Sequence, residues 1–268
     1  MTSYQTNAEI LRKEQITGDI FRLTLNCPEI ADQARPGQFI MLKASAKNTP
    51  FLRRPFSVHQ TSINGRVQVL FKVLGKGTEY LASCTSGTLL SVVGPLGRGF
   101  TLPQKGTSVC LIGGGMGIAP LFFLAKRLSR HHDHYTSIKV MLGAATAKEL
   151  LTLKSDFEQL GMPVEMATDD GSAGHHGFVT DLVQSTIGEN PPWAFYTCGP
   201  HPMMKKIALL CREKDCFCEA SLETMMACGI GACLGCVIPR PLPTESGEQY
   251  FHVCKDGPVF DAGDILWK

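Results

Sequence analysis

The most restrictive feature of this 268-residue chain is a repeated pairing of strand-like and helix-like segments that begins after residue 106. The pairing occurs four times: SVCLIGG precedes IAPLFFLAKRLSR, SIKVMLGAA precedes AKELLTLKSDFEQLG, PVEMATDD precedes GFVTDLVQSTIG, and WAFYTCGP precedes HPMMKKIALLCREKD. Such units bury both faces of their strands in a parallel sheet that is covered by helices. Residues 102–223 are therefore predicted to form a doubly wound α/β domain, closed by the short segment FCEASLE.

Residues 1–101 have a different pattern, which is typical of short antiparallel strands. Apolar and polar residues alternate in DIFRLTLNC and in RVQVLFKVL, as expected for strands with one buried face. The pairs Asn64-Gly65 and Gly94-Pro95 are turn signals and are expected to separate strands. This part of the chain is predicted to be a small antiparallel β-barrel.

Residues 224–268 lack regular periodicity and contain the most informative cysteines. Cys228, Cys233 and Cys236 have the spacing C-x4-C-x2-C, and Cys254 follows them. This is the spacing of plant-type [2Fe–2S] ligation. The glycines between the cysteines would let the loop turn tightly and bring amide N–H groups to the sulfur atoms. A structural zinc site and inert cysteines are the alternatives, although zinc usually requires a second cysteine or histidine pair.

Composition excludes several classes of function. The formal net charge is only +2, which gives no electrostatic basis for binding nucleic acid. The N-terminal residues lack the apolar core of a secretion signal. Residues 106–125 carry no charge, but they contain five glycines and Pro120, which oppose a lipid-exposed helix. We therefore expect no membrane association and a cytoplasmic location.

Two glycine-containing loops and one arginine pair are candidate phosphate sites. GGGMGIAP, residues 113–120, lies between a predicted strand and helix, where an anion is favoured, although it does not match the dinucleotide fingerprint G-x-G-x-x-G. In the barrel, RRPFS offers a bidentate guanidinium, and GKGT offers a second phosphate cradle. Each of these motifs alone is also compatible with a purely structural turn.

Taken together and in order, the motifs indicate a family. Arg-Pro-x-Ser, Gly-Thr, GPLG, GGGMGIAP and YTCGP follow one another as in the ferredoxin–NADP reductase superfamily. The tail, with ETMMACGIGACLGCV and CKDGPVF, closely resembles the electron-transfer subunits of type B dihydroorotate dehydrogenases. The resemblance extends over essentially the whole chain, and the cysteine loop with its DGPVF ending is its most specific part.

The resemblance implies an FAD-binding barrel (1–101), an NAD-binding α/β domain (102–223) and a [2Fe–2S] module (224–268). It assigns FAD to Arg54, Pro55, Phe56, Ser57, Leu70, Phe71, Lys72, Gly77 and Thr78. It assigns the nicotinamide nucleotide to Gly114, Gly115, Met116, Gly117, Cys198, Gly199 and Pro200. It assigns the cluster to Cys228, Cys233, Cys236 and Cys254. No catalytic acid or base is assigned, and Glu223, Asp169 and Asp170 are left without a role.

The implied activity is electron transfer between NAD and a separate FMN-containing catalytic subunit that oxidises dihydroorotate in pyrimidine biosynthesis, in an assembly of two copies of each subunit. Phe56 departs from many relatives, which have an aliphatic residue there. After the second strand of the α/β domain, Lys148 is the only cation in GAATAKELL, which favours NAD over NADP. Two other functions stay open: a reductase subunit for a ferredoxin, sulfur-reducing or oxygenase partner, and a non-catalytic redox sensor.

Overall fold

The computed structural model describes residues 2–44, 50–187, 192–244 and 247–267. The first part of the chain is a closed antiparallel barrel with the strand order β1-β2-β5-β4-β3-β6, as predicted. Its elements are β1 (Tyr4–Gln15), β2 (Ile20–Asn26), α1 (Pro28–Gln33), β3 (Phe39–Leu42), β4 (Arg54–Thr61), β5 (Arg66–Lys72), α2 (Lys76–Ser83) and β6 (Leu89–Leu96).

The two predicted turn signals of the barrel have different outcomes. Asn64-Gly65 lies in the connection between β4 and β5, and Gly65 has a φ of 71°. Gly94 and Pro95 do not form a turn, because both lie within β6. A Cβ atom on Gly94 would lie 2.6 Å from Cγ2 of Ile40. Glycine is therefore required here by close packing inside the barrel, not by a change of chain direction.

The second part of the chain is a seven-stranded sheet with the order β10-β9-β8-β7-β11-β12-β15, in which β15 (Val259–Asp261) comes from the C-terminal tail. Its elements before the tail are β7 (Ser108–Gly114), α3 (Ile118–Ser129), β8 (Ser137–Ala144), α4 (Ala147–Glu158), β9 (Val164–Thr168), β10 (His175–His176), α5 (Val179–Thr186), β11 (Trp193–Cys198), α6 (His201–Glu213) and β12 (Phe217–Ser221). Strands β7 to β12 pair in parallel. The doubly wound α/β domain predicted from the alternating pattern is confirmed.

Both faces of this sheet are buried, which explains its uninterrupted apolar strands. Within β7, Cys110 and Ile112 pack in one core cluster with residues of α5 and α6. Their neighbours Val109 and Leu111 pack in a second cluster with residues of α3 and α4. No helix among the described residues has both the length and the apolar character needed to cross a membrane.

The C-terminal tail contains β13 (Val237–Pro239), β14 (Tyr250–His252), α7 (Val253–Asp256) and β15 (Val259–Asp261). β13 and β14 pair with each other, whereas β15 pairs antiparallel with β12. FCEASLE forms strand β12 and ends the parallel part of the sheet as expected, but it does not close the sheet, because the tail supplies the outermost strand. This pairing ties the cysteine-containing segment to the α/β domain.

Helix α3 fastens the barrel to the sheet domain. The buried ring of His59, in β4, contacts the carbonyl oxygen of Ala119 through Nδ1 at 3.1 Å and stacks on Phe122. Burial, together with the nearby positive charge of Arg22, lowers the pKa of His59 to about 3, so the ring is neutral and Nδ1 is the donor. Lys126 of α3 also donates to the side chain of Gln60.

An ion pair between Arg22 of β2 and Asp156 of α4 crosses the same domain boundary. The two side chains are 12% and 17% exposed, and Arg22 Nε has no partner among the described residues. Burial raises the pKa of Asp156, while Arg22 opposes this shift. Because the pair is largely removed from water, loss of one partner leaves a poorly solvated charge.

We expect Asp156→Ala to destabilise the protein by about 3 kcal/mol, since it strands the Arg22 guanidinium at the boundary. The matched control is Glu158→Ala on the same helix, where Glu158 forms an exposed pair with Lys154 at 3.0 Å. This control should cost less than about 0.5 kcal/mol. Urea unfolding followed by far-ultraviolet circular dichroism measures both values, and equal losses would contradict the assignment.

Candidate functional site

A cavity of about 610 Å³ lies between the barrel and the sheet domain. Its volume is in the range of small-molecule and cofactor sites. The wall contains every barrel residue that the sequence assigns to FAD: Arg54, Pro55, Phe56, Ser57, Leu70, Phe71, Lys72, Gly77 and Thr78. These residues come from the start of β4, the end of β5 and the start of α2, so the fold gathers three separate stretches at one place.

The start of α2 forms one side of this cavity. Thr78 Oγ1 donates to the carbonyl oxygen of Gly75 at 2.9 Å and accepts from the amide of Leu74 at 2.9 Å. The hydroxyl group therefore stabilises its own turn. A Cβ atom on Gly77 would lie 3.4 Å from the side chain of Arg54, so the helix start and the guanidinium are close neighbours. Both features favour an anionic group such as a pyrophosphate.

The junction between β12 and the tail forms the opposite wall, and sequence reasoning missed it. Ser221, Leu222, Glu223, Thr224 and Met226 line the cavity. Thr224 Oγ1 is buried and has no partner among the described residues. Glu223, Thr224 and Met226 belong to the stretch ETMMACGIGACLGCV, from which the sequence assigns only the cysteines, to the cluster. The available signal is their position after a parallel strand, the sheet edge at which ligands of open α/β sheets bind.

Glu223 lies on the wall of the cavity and is exposed to solvent over part of its surface. Burial raises its pKa, and no cation is near enough to oppose that shift. Burial also raises the pKa of the Cys198 thiol, and the charge of Glu223 adds to this effect. The first cavity, which we call the flavin cavity after its sequence assignment, therefore has on its wall a carboxyl group whose ionisation is disfavoured.

We expect Glu223→Gln to stabilise the protein more at pH 8.5 than at pH 5.5. In the unfolded chain this carboxyl ionises at its ordinary pKa, whereas in the folded chain it holds its proton to higher pH. Ionisation therefore costs stability as pH rises above 4.5, and glutamine removes that cost.

Thermal unfolding at the two pH values measures this difference. The exposed Glu213 at the end of α6 provides the control Glu213→Gln, which should show no such dependence on pH. A gain from Glu223→Gln that is equal at both pH values would contradict a raised pKa of Glu223 in the folded protein.

A second cavity, of about 480 Å³, lies at the ends of β7 and β8. Gly114, Gly115 and Pro200 line this cavity, whereas Met116 lines the flavin cavity instead. Gly117, Cys198 and Gly199 lie behind the loops and hold them together. A Cβ atom on Gly117 would be 2.1 Å from the Cys198 carbonyl oxygen, and one on Gly199 would be 2.9 Å from Gly114 Cα. Met116 thus stands between the two cavities.

The charged residues on the wall of the second cavity are Glu149, Asp169 and Lys206. Lys206 is paired with Asp181 at 3.1 Å, so the wall offers little free positive charge. Asp170 accepts from the amide and the hydroxyl of Ser172 and stabilises the turn after β9. The wall therefore disfavours an additional phosphate on a ribose and favours NAD over NADP.

The predicted cluster loop is held by amide groups that donate to its sulfur atoms. Cys228 Sγ accepts from the amides of Ile230 and Cys233, both at 3.4 Å. Cys254 Sγ accepts from Gly231 at 3.1 Å, and Cys236 Sγ accepts from Cys254 at 3.3 Å. Such donors stabilise thiolates and tune the potential of a cluster that they hold.

The four thiols form two pairs that differ in exposure. Cys228 and Cys233 lie at the surface side, whereas Cys236 and Cys254 are buried. Partial burial opposes ionisation of Cys228, but the amides of Cys233 and Ile230 lower its pKa to about 6. Burial and the neighbouring Cys236 raise the pKa of Cys254 to about 12.

This pairing fits two irons better than one metal ion. Side-chain contacts join Cys228 to Cys233 and Cys236 to Cys254. A [2Fe–2S] cluster takes two thiolates on each iron. The arrangement favours the cluster over the zinc alternative.

The cluster loop lies against the flavin cavity. A Cβ atom on Gly229 would be 2.5 Å from the side chain of Met41 in β3, so the loop packs directly on the barrel. Met226 lines the flavin cavity, and Cys228 follows two residues later, which a chain spans in at most about 7 Å. The fold thus places the four cysteines beside the cavity that the sequence assigns to FAD.

Three family models match the chain. A model described as the iron-sulfur cluster binding domain of dihydroorotate dehydrogenase B matches residues 223–266. An oxidoreductase FAD-binding domain matches residues 7–100, and an oxidoreductase NAD-binding domain matches residues 111–208.

Individual proteins are similar over nearly the whole chain. A relative from Desulforamulus reducens, named dihydroorotate dehydrogenase B (NAD(+)), electron transfer subunit, is 37% identical over 263 residues, which are 98% of each chain. A relative of the same name from Shouchella clausii is 35% identical over 272 residues, which cover 99% of this chain and 100% of that one.

Two solved structures are also similar. An NADH-dependent reduced ferredoxin-NADP oxidoreductase, studied for flavin-based electron bifurcation, has a TM-score of 0.84 and 32% identity, and the match covers 97% of this chain and 90% of that one. A ferredoxin reductase in carbazole 1,9a-dioxygenase has a TM-score of 0.69 and 23% identity, with 81% and 67% covered. The second similarity supports the fold alone.

Proposed function

The chain belongs to the family of dihydroorotate dehydrogenase B electron transfer subunits, and on that premise we propose that it passes electrons between NAD and a partner subunit that oxidises dihydroorotate. FAD exchanges two electrons with the nicotinamide and single electrons with a [2Fe–2S] cluster, and these cofactors supply the chemistry. The residues of this chain bind and orient them.

The observation that carries the proposal is the contact between the three candidate sites. Met116 stands between the flavin and nucleotide cavities, and Met226 and Gly229 connect the flavin cavity to the cluster loop. A carrier that joins a two-electron donor to a one-electron acceptor needs its sites in this order.

The residue assignments follow the cavities. FAD would be held by the nine barrel residues on the wall of the first cavity, with Arg54 and the start of α2 at its phosphates. NAD would be held by Gly114, Gly115 and Pro200, with Gly117, Cys198 and Gly199 behind them and Met116 facing the flavin. Cys228 with Cys233 and Cys236 with Cys254 would each hold one iron. The proposed domains are 1–101, 102–223 and 224–268, although β15 ties the last to the sheet.

We assign the partner to the exposed side of the cluster loop. Cys233 is exposed there, and Met225, Ile230 and Leu234 expose 93%, 58% and 58% of their surface. A permanent partner accounts for such apolar exposure next to an electron-transfer centre. The proposed assembly contains two copies of this chain and two FMN-containing catalytic subunits, and acts in pyrimidine biosynthesis in the cytoplasm.

A second candidate is a reductase subunit for another acceptor. The 32% identity to an NADH-dependent reduced ferredoxin-NADP oxidoreductase favours it, because the same three sites could deliver electrons to a different partner. The two candidates differ in the partner and not in the cofactors of this chain.

The test is affinity purification of the tagged chain from its native cell under anaerobic conditions. FAD, iron and sulfide should be bound, and an equimolar FMN protein should co-purify. NADH should bleach both chromophores, and dihydroorotate with NAD⁺ should produce NADH. Bleaching by NADH without a response to dihydroorotate would favour another acceptor. Chromophores that stay oxidised with NADH would favour the redox sensor over both candidates.

A further inference from the structure

A third cavity, of about 1000 Å³, lies between α1 of the barrel and the end of α3. None of the residues assigned to FAD, NAD or the cluster lines it. Thr61, at the end of β4, lines this groove, whereas Ser57 of the same strand lines the flavin cavity. Four strand residues separate them by about 13 Å. We call this cavity the basic groove.

The walls of the basic groove carry unbalanced positive charge. Its cationic residues are Arg35, Lys126, Arg127 and Arg130, and Asp32 is its one acidic residue among those described. Asp32 accepts a hydrogen bond from the side-chain amide of Gln33, a neutral donor that leaves its charge in place, so one negative charge faces four positive ones. Within the described ranges, Arg35, Arg127 and Arg130 have no carboxylate within ion-pair distance. The C-terminal dipole of α3 supplies only about half a negative charge, which cannot balance these side chains.

The local potential acts on a neighbouring group. Burial lowers the pKa of Lys126, and the positive charge of Arg130 lowers it further. Lys126 also donates to Gln60 and to the carbonyl oxygen of Thr61, neutral acceptors that do not cancel its charge. An anion in the groove would relieve this repulsion.

The floor of the groove is apolar. Phe100 and Phe123 are buried beneath it, and Leu102 is 45% exposed on its wall. Ser62 lines the same groove, and its Oγ is buried without a partner in the described part of the chain. Positive charge beside an apolar floor, with a hydroxyl free to bond, suits a ligand with a phosphate and a less polar body.

We propose that the basic groove is a second small-molecule site, which takes a phosphorylated metabolite of mononucleotide size. Arg35 on the barrel side and Arg127 and Arg130 on the α3 side bind its phosphate, and Leu102 with the apolar floor packs against its sugar or base. The volume of about 1000 Å³ favours a small molecule over an acidic protein. The distance along β4 also separates this site from the electron path.

The experiment is calorimetric titration of the purified complex with uridine 5′-monophosphate, at low ionic strength and with NAD saturating. Uridine 5′-monophosphate serves as a probe of mononucleotide size. Saturating NAD keeps the other nucleotide cavity filled, so that the titration measures binding in the basic groove. One equivalent per chain should bind with a dissociation constant below about 1 mM, and inorganic phosphate should bind at least 10-fold more weakly. Arg130→Ala should lower affinity at least 10-fold, as expected for a charge-assisted contact.

Lys154→Ala is the control, since it removes one positive charge from α4, outside the groove, and should leave affinity unchanged. Bleaching of the flavin by NADH should be normal in both variants, which shows that they are folded. Absence of nucleotide binding in the unmodified complex would overturn the proposal. So would an affinity that survives Arg130→Ala, or one that falls equally in Lys154→Ala. Binding to the free chain that disappears in the complex would assign the groove to the partner instead.

Discussion

Replacing Cys233 by alanine removes the cluster and lowers electron transfer to the partner by at least about 100-fold, while NADH still reduces the flavin. The substitution leaves the iron held by Cys228 with one protein ligand, and even changes outside the ligand set cost 10–100-fold in metal affinity. The flavin cavity does not include Cys233, so its own reduction is expected to survive. Anaerobic iron and sulfide analysis, electron paramagnetic resonance of the reduced protein and stopped-flow bleaching by NADH measure the three results.

Cys216→Ala is the matched control. Cys216 is a half-buried thiol between α6 and β12, where its Sγ contacts the carbonyl oxygen of Lys214, and it lies outside the cluster loop. This variant should keep its iron and its activity. A Cys233→Ala protein that retains two irons and the reduced signal would exclude this ligand set. Loss of flavin reduction together with the cluster would instead mean that the two domains do not fold independently.

The sequence predicts this fold well where the physics is local. In residues 106–223 the strands are uninterrupted apolar runs, which indicates that both of their faces are buried. The observed sheet is buried on both faces. The cysteine loop is also local, because its spacing and glycines indicate both the ligands and the tight turns. Gly229 and Gly231 do have positive φ, at 73° and 79°.

Prediction is weaker where the residue type does not indicate the backbone conformation or the reason for a small side chain. Leu234 adopts a φ of 58° inside the cluster loop. Positive φ is uncommon for residues other than glycine, so a leucine gives no indication of it. Gly94 is the converse case. Its pairing with Pro95 indicates a turn, but the residue is small because Ile40 packs against it within the barrel.

Contacts between distant parts of the chain could not be predicted. Glu223 faces the flavin cavity because β12 ends there, and the Arg22–Asp156 pair exists because α4 packs near β2. The edge strand β15 follows from a pairing that only tertiary structure determines. A single sequence has no pattern that shows which distant residues meet, because each of these contacts depends on how complete domains pack.

Substituting Gly117 by alanine should slow reduction of the flavin by NADH about 100-fold or more. Its φ is −59°, an ordinary helical value, so the constraint is space. An added Cβ would lie 2.1 Å from the oxygen and 2.3 Å from the carbon of the Cys198 carbonyl. Backbone on both sides must then separate by about 1 Å, and a shift of that size costs about 100-fold in a reaction that depends on orientation.

Gly115→Ala, two residues earlier in the same loop, separates this clash from general damage to the loop. Its added Cβ would meet nothing within 4 Å, but its φ of +52° imposes a strain of about 1–2 kcal/mol. If space at the Cys198 carbonyl positions the nicotinamide, Gly117→Ala is much slower than Gly115→Ala while both proteins keep FAD and the cluster. Both rates are measured by anaerobic stopped-flow bleaching. Equal rates would mean that any change in this loop slows flavin reduction, and that the clash with the Cys198 carbonyl is not the specific cause.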